Sequence, residues 1–140
     1  MKKMRTRYQT RMPLRERMKA PKEDDVQMEV ARILSTSRKV AFFHSIPNEA
    51  RGRSKATQTR LVSMGLAAGV ADLFVWWADG TYGYMEVKTG KGRLSQKQKE
   101  FQRLCAERGI EYSVVRSGRD VFKVAKEHAL PAGTSGEEKQ

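Results

Sequence analysis

The sequence predicts an α/β fold in which helices flank a mixed four-stranded β-sheet. Two features support this prediction. Residues 70–77 are almost entirely apolar, as in a buried central strand, and the hairpin signal Ala78-Asp79-Gly80 follows them directly. Segments with the 3.6-residue apolar spacing of helices lie before and after this hairpin. The predicted order of elements is α-β-(short α)-β-β-α-β-α.

The boundaries of the other elements follow from residues that cap helices, end them or interrupt strands. Before the hairpin, a first helix is predicted from Asp24 or Asp25 to residues 35–37. A strand follows over 39–46, and its even-numbered positions share one face. A polar loop over 48–57 then leads to a short helix over 58–64. After the hairpin strands of 70–77 and 81–88, the predicted elements are a helix that Ser95 and Gln98 open as a capping box, a strand over 110–115 and a last helix behind Ser117.

The charge of the chain is high and unevenly spread. Of its 140 residues, 28 are Lys or Arg and 16 are Asp or Glu, and the net charge of +12 favours polyanions such as DNA and RNA as partners. Residues 1–22 hold nine Lys or Arg against one Glu and lack apolar periodicity, which predicts a flexible basic arm. We therefore expect an arm over 1–22, a folded domain over 23–130 and a disordered tail over 131–140.

The same sequence argues against a membrane or secreted protein. No apolar run reaches membrane-spanning length, and no apolar stretch follows the basic N-terminus as it would in a signal peptide. The single cysteine, Cys105, cannot form an internal disulfide. We expect a cytoplasmic protein without membrane contact.

An acidic residue inside the apolar strand gives the first indication of chemistry. Asp72 would be costly to bury as a bare carboxylate, so it should pair with another group or bind a metal. On the return strand, the alternation of Glu86-Val87-Lys88 places Glu86 and Lys88 on one face. Two carboxylates and an ammonium group can then converge at the base of the hairpin.

This convergence requires a particular hairpin register. A two-residue turn over 79–80 would set Asp72 and Glu86 on opposite faces of the sheet. A three-residue loop over 78–80, with Gly80 in the left-handed region, would place the two acids opposite each other on the same face. The sequence therefore predicts the three-residue loop.

The residue types at this site suit the hydrolysis of phosphodiesters. The carboxylates of Asp72 and Glu86 and the backbone carbonyl of Val87 are hard oxygen ligands, which Mg²⁺ or Mn²⁺ prefers. Such an ion polarises a phosphate and lowers the pKa of a bound water. Lys88 can orient that water or stabilise the negative charge of the transition state. These features predict a metal-dependent nuclease.

Further motifs accompany the two acids and the lysine. In order along the chain, the segments are His44-Ser45-Ile46-Pro47-Asn48, Gly69-Val70-Ala71-Asp72-Leu73, Glu86-Val87-Lys88 and Gly92-Arg93-Leu94-Ser95 followed by Gln98. Together they resemble the VRR-NUC (virus-type replication-repair nuclease) family of the PD-(D/E)xK nuclease superfamily, over about residues 23–130. Ala71 departs from the family pattern, which usually has proline before the acid. The resemblance implies a restriction-endonuclease-like fold.

The resemblance also implies roles for single residues. Asp72 and Glu86 would bind the metal, Lys88 would be the catalytic lysine and Gln98 would support the site. For Gln98, a purely structural role in the capping box is an equally good alternative.

An acid on the first helix completes the family's site. Glu23 is favoured for this position by its spacing to Gln27, and Glu29 is the competing choice.

The expected partner is DNA. Five basic residues are expected to contact its phosphates, namely Arg51, Arg53, Lys55, Lys91 and Arg93. Stand-alone members of the resembled family are similar to junction resolvases and act as dimers, so the resemblance implies branched DNA, a homodimer and a bacterial or phage-infected host cell. The rival interpretations are a nuclease without preference for DNA structure and a basic nucleic-acid-binding protein without catalysis.

Overall fold

The computed structural model describes residues 21–47, 53–131 and 133, and its elements follow the predicted order. They are α1 (Glu23–Thr36), β1 (Val40–Ser45), α2 (Lys55–Ser63), β2 (Leu73–Trp77), β3 (Tyr82–Val87), α3 (Gln96–Glu107), β4 (Glu111–Val115) and α4 (Gly118–Ala125). The predicted arm, apart from Pro21 and Lys22, and the predicted tail, apart from Pro131 and Gly133, lie outside the described residues.

The four strands form one mixed sheet in the order β1-β2-β3-β4. The β1–β2 and β2–β3 pairs are antiparallel, whereas β3 and β4 run parallel. A parallel pair needs a crossover connection, and α3 supplies it between β3 and β4. The prediction of an α/β fold with a mixed four-stranded sheet flanked by helices is confirmed.

One face of the sheet forms the hydrophobic core beneath α1 and α4. Because strand side chains alternate between the two faces, every second residue of β2 and β3 points into this core. The buried residues are Val26, Val30, Ile33 and Leu34 of α1, Leu73, Val75 and Trp77 of β2, Met85 and Val87 of β3, Val115 of β4 and Val121 of α4. The intervening residues of the hairpin point to the opposite face, and Glu86 is one of them.

Helix α3 covers part of this opposite face. The ring of Phe101 packs edge-on against Tyr84, with 5.0 Å between the ring centroids, and lies 5.9 Å from the ring of Tyr112. Beyond the helix, Trp76 is 50% exposed while its neighbour Trp77 is fully buried. Because neighbouring strand residues point to opposite faces, only one of the two tryptophans faces the core.

Strand β1 departs from the predicted alternation. Its register against β2 shifts between Val40 and Phe42, which marks a bulge or irregularity. Val40 and Phe43 pack against the core, whereas Phe42 is exposed beside its partner Trp76. The prediction that residues 40 and 42 share a face was wrong, because the irregularity reverses the alternation after Val40.

Helix α1 begins earlier than predicted. The sequence favours Asp24 or Asp25 as its N-cap, but the helix starts at Glu23. The Asp25 carboxylate instead accepts a hydrogen bond of 3.2 Å from the backbone amide of Lys22, which precedes the helix. Glu23 is therefore the first residue of the helix, and its side chain lies near Asp72 and Glu86.

Candidate metal centre

The β2–β3 hairpin brings Asp72 and Glu86 together. Its loop has three residues, 78–80, because the Trp77 amide donates to the Thr81 carbonyl (2.8 Å), and the glycine at the third position adopts a φ of +89°. Leu73 pairs with Met85, so residues 72 and 86 lie opposite each other. The predicted three-residue loop is confirmed, and both acids share the face that points away from the core.

Asp72 directly precedes β2, and the prediction that it lies inside the strand was wrong. It is half-buried, and the strand begins at Leu73. Its backbone is nevertheless fixed on both sides, since its amide donates to the Met85 carbonyl (3.2 Å) and its carbonyl accepts from the Ile46 amide (2.8 Å). The side-chain Oδ2 accepts a hydrogen bond of 2.7 Å from the Val87 amide. The carboxylate is thus held in place by its own hairpin.

Glu86 is almost fully buried, with 2% of its surface exposed. Its Oε1 accepts a hydrogen bond of 2.6 Å from Nε2 of Gln98 and lies 3.3 Å from Nζ of Lys88. Burial and then the negative charge of Asp72 nevertheless raise the pKa of Glu86 to about 7. Burial also raises the pKa of Asp72, against the Val87 hydrogen bond and the charge of Lys88. The nearby donors therefore do not fully compensate the two acids.

Gln98 combines the two roles that the sequence left open. The side-chain Oε1 of Gln98 accepts a hydrogen bond from the backbone amide of Ser95 (2.8 Å). The backbone amide of Gln98 donates to the Ser95 hydroxyl (3.2 Å), which completes the predicted capping box. Its Nε2 donates to Glu86. One side chain therefore caps α3 and holds an acid of the site.

Gly69 allows the chain before β2 to approach α3. Its φ is +78°, and a Cβ built there would lie 2.7 Å from the backbone carbon of Lys97. Only glycine combines this backbone conformation with so close a contact. The contact fixes the segment that leads into Asp72 against the first turn of α3, where Gln98 lies.

The first helix contributes Glu23. One carboxylate oxygen from each of Glu23, Asp72 and Glu86 lies within 4.8 Å of the other two. The competing residue, Glu29, points elsewhere: a Cβ on Gly118 of α4 would lie 2.7 Å from its Oε1. Of the two acids weighed from the sequence, the structure brings Glu23 to the hairpin acids.

Val87 and Lys88 complete the group on β3. The Lys88 amide donates to Val115 of β4, so the amide and carbonyl of Val87 face the opposite side, towards Asp72. The Val87 carbonyl is thereby available as a further oxygen ligand. The side chain of Lys88 is largely buried, at 13% exposure, with its ammonium group directed at Glu86.

Four of the five basic residues predicted to contact DNA are exposed in the described part of the chain. Exposed side chains are found at Arg53, Lys55, Lys91 and Arg93, and Arg51 lies outside the described residues. The assignment of Lys55 to a loop was wrong, because it opens α2. The Ser54 hydroxyl caps that helix by accepting from the Thr57 amide (3.3 Å), a cap that the polar composition of the segment concealed. Contact of these residues with DNA stays a prediction.

A second polar cluster lies at the turn end of the hairpin. The buried His128 places Nδ1 2.7 Å from the Asp79 carboxylate and Nε2 2.7 Å from that of Glu111. Its ring stacks on Trp77 at 4.0 Å, and the Trp77 indole N–H donates to Glu111 (2.9 Å). Hydrogen bonds from Thr81 and from His128 lower the pKa of Asp79 to about 2. Each carboxylate of this cluster therefore has its own donors within the chain.

A mixed sheet with D-x13-E-x-K on one hairpin, flanked by helices, defines a nuclease of the PD-(D/E)xK type. The VRR-NUC domain model matches residues 6–119, which is most of the chain. The chain belongs to the VRR-NUC domain family. The resemblance inferred from the motifs is confirmed, and the domain implies a nuclease that acts on DNA.

A solved structure described as a "VRR_NUC domain protein" has the same fold. It is 22% identical to this chain, the alignment covers 79% of this chain and 89% of the other, and the TM-score is 0.57. At this level of identity the likeness shows the fold, which is restriction-endonuclease-like. No curated protein matches the chain by sequence.

Across the described residues, no helix is long and apolar enough to cross a membrane.

Proposed function

We propose that this nuclease hydrolyses DNA phosphodiester bonds with a divalent cation, Mg²⁺ or Mn²⁺, bound by Glu23, Asp72 and Glu86. The clustering of the three carboxylates, whose oxygens approach within 4.8 Å, is the observation that supports the proposal most strongly. Burial, and then the repulsion between neighbouring acids, raises the pKa of Glu86. A bound cation would convert that repulsion into attraction.

The donor set fits a hard cation. Carboxylates and a backbone carbonyl, here that of Val87, are the ligands that Mg²⁺ and Mn²⁺ prefer over thiolate or imidazole. When bound, such an ion polarises the scissile phosphate and favours ionisation of the attacking water.

The chain's own residues prepare the site before substrate arrives. The Val87 amide holds Asp72 and the Gln98 side chain holds Glu86, so neither carboxylate must be ordered during the reaction. Lys88 places a positive charge 3.3 Å from Glu86, where it can stabilise the negative charge that develops on the phosphate. Asp72, Glu86, Lys88 and Gln98 are therefore the residues that we assign to catalysis.

Branched DNA, such as a four-way junction, is the substrate class that we propose. Resolving a junction takes two nicks on symmetry-related strands, and one chain offers one set of catalytic residues. A two-fold homodimer supplies the second set. Phe42, Trp76 and Tyr82 are exposed on the face of the sheet that also carries the acids, and a second copy of the chain would bury this apolar surface.

A cleavage assay tests the proposal. Linear, flapped and four-way DNA should be incubated with the protein with and without Mg²⁺ or Mn²⁺. We expect metal-dependent cleavage that is fastest on the four-way junction. Equal rates on all three substrates would favour a nuclease without structural preference, and DNA binding without any metal-dependent cleavage would favour a non-catalytic binder.

The oligomeric state needs a separate measurement in solution. Light scattering over a concentration series should give about twice the chain mass of 16.0 kDa. Trp76→Lys should shift the particle to the monomer mass, whereas Val62→Lys, on the exposed side of α2, should not. A wild-type monomer at all concentrations that still makes paired nicks would contradict the dimer.

A further inference from the structure

Tyr112 of β4 lies on the same face of the sheet as the catalytic acids. It pairs with Tyr84 in the parallel β3–β4 ladder, and Glu86 follows Tyr84 by two residues on β3. Phe101 of α3 packs against both tyrosine rings. Sequence patterns assign Tyr112 no role beyond filling a strand, because a single tyrosine in a strand carries no signal for a site.

The hydroxyl of Tyr112 is buried without a hydrogen-bond partner among the residues that the structure describes. Buried polar groups are nearly always paired, and an unpaired one is explained by a function or by an ordered water. Gln98 and Lys88 both contact Oε1 of Glu86 and not the Tyr112 hydroxyl. The Tyr112 hydroxyl is therefore the one buried side-chain donor in the described structure that no protein atom accepts.

Tyr112 lies diagonally across the β3–β4 ladder from Glu86, because its partner Tyr84 precedes Glu86 by two residues on the same face. Burial, followed by the negative charges of Glu86 and Asp72, raises the pKa of Tyr112. The hydroxyl accordingly keeps its proton and acts as a donor. It makes no direct hydrogen bond to either acid, and a polar contact over more than about 3.5 Å is commonly bridged by a water.

We propose that Tyr112 is a positioning residue whose hydroxyl donates a hydrogen bond to a water, and that this water in turn donates to the Glu86 carboxylate. The water would hold the carboxylate from the side that Gln98 and Lys88 leave free. The proposal rests on the proposed metal-dependent function, because a correctly held Glu86 matters for cation binding. Partners that orient a metal ligand in this way change metal affinity or activity by about 10–100-fold when they are removed.

The substitution Tyr112→Phe in the full chain tests this role, with Tyr84→Phe as the matched control. Both variants lose one hydroxyl beneath or beside α3 and keep the ring that contacts Phe101. The Tyr84 hydroxyl is not among the unpaired buried groups, and neither catalytic acid contributes to its pKa. Only Tyr112→Phe should therefore weaken Mn²⁺ binding in calorimetry and lower kcat, each by about tenfold, with the KM for DNA unchanged.

The melting temperature of the metal-free protein separates positioning from packing. The hydroxyl contacts only this water and no protein atom, so Tyr112→Phe should melt within about two degrees of the wild type. Wild-type Mn²⁺ affinity and kcat in Tyr112→Phe would overturn the proposal, as would a lower melting temperature with equal losses in Tyr84→Phe. A wild type that binds Mn²⁺ but does not cleave DNA would contradict the proposed function, while Mn²⁺ affinity would still decide the role of Tyr112. No Mn²⁺ binding by the wild type would overturn both.

Discussion

Acidic side chains cluster at both ends of the β2–β3 hairpin, but their pKa values are shifted in opposite directions. At the turn end, His128 lies between Asp79 and Glu111 at 2.7 Å from each, and the pKa of Asp79 is lowered to about 2. At the open end, Asp72 and Glu86 face each other, and the pKa of Glu86 is raised to about 7.

This is the difference that we expect between an acidic cluster that stabilises a fold and one that binds a cation. Acids whose donors come from the chain itself contribute to stability when they are ionised. Acids that the chain crowds together without full compensation cost stability, and this cost is recovered when a ligand binds. Burial and a neighbouring acid raise the pKa of Glu86, whereas hydrogen bonds lower the pKa of Asp79.

The largest expected difference between the two ends is catalytic. Asp72→Asn keeps an oxygen that can accept from the Val87 amide but removes a charge from the site, so cleavage should fall by more than about 100-fold. Asp79→Asn makes the same chemical change at the turn end and should leave kcat unchanged. Single-turnover cleavage of a four-way junction measures both. Similar losses in the two variants would mean that the turn-end cluster belongs to the active site.

Removal of the basic arm should have the next largest effect, because the arm directly precedes Glu23 in the chain and Glu23 lies at the open end. Residues 1–20 are the segment to delete, since Lys22 must stay: its carbonyl accepts from the amides of Asp25 and Val26 at the start of α1. DNA affinity should fall about tenfold at low salt. The slope of log affinity against log salt should flatten by about 0.9 for each DNA phosphate that the arm no longer neutralises.

Turnover at saturating DNA should change little in this truncated protein. Deletion of residues 134–140, which carry two acids and one lysine, is the matched control and should leave the salt slope unchanged. The same slope in both truncated proteins and the wild type would show that the arm does not contact DNA.

Cation affinity at the open end should depend on pH. Because the pKa of Glu86 is about 7 in the metal-free protein, a cation must displace a proton from this carboxyl at lower pH. Mn²⁺ affinity should therefore fall by up to about tenfold for each pH unit below 7 and level off above it. Calorimetry at pH 6, 7 and 8 in buffers of different ionisation enthalpy measures both the affinity and the proton release. Affinity independent of pH in Glu86→Gln, but not in the wild type, would assign the proton to Glu86.

The smallest expected effects are on stability, and they have opposite signs at the two ends. The pKa of Glu86 is raised in the folded protein, so its ionisation destabilises the fold fully above pH 7 and not at all below about pH 4.5. In the presence of a chelator, Glu86→Gln should raise the melting temperature at pH 8 by a few degrees and lose this advantage by pH 4.5.

For Asp79 the sign is reversed. Its pKa is lowered from 3.8 to about 2, so its ionisation stabilises the fold above pH 3.8, and this contribution is lost as the pH falls through 2. Asp79→Asn should melt below the wild type at neutral pH, and the difference should shrink between pH 4 and pH 2. A melting temperature that changes in the same direction for Glu86→Gln and Asp79→Asn at neutral pH would remove the contrast between the two ends.

Much of the hairpin and of α3 could be predicted because local rules fix them. The three-residue loop was required by the placement of two acids, and a glycine at its third position supplies the left-handed conformation that such a loop needs. The Ser95–Gln98 capping box is likewise a local pattern, with its partners three residues apart. These features depend on neighbours in the chain, so a sequence pattern contains them.

The features that the sequence did not predict correctly, or did not predict at all, depend on partners that are distant in the chain. The irregularity after Val40 is decided by which of its side chains the core accepts, and the V-A-F-F composition allows either choice. The contact of His128 with Asp79 joins residues 49 positions apart, and no local pattern in the sequence indicates it.

By itself, the sequence determined the class of fold, the VRR-NUC family, the pair of acids and the lysine on one hairpin, because short-range periodicity and motif spacing encode them. Only the tertiary structure decided that Glu23 and not Glu29 reaches those acids, and that Gln98 both caps α3 and holds Glu86. It also decided that the Tyr112 hydroxyl is buried on the face of the sheet that carries Glu86. The physical reason is the same in each case. Which side chain reaches a site is set by how helices pack on the two faces of the sheet, and that packing is a property of the whole core.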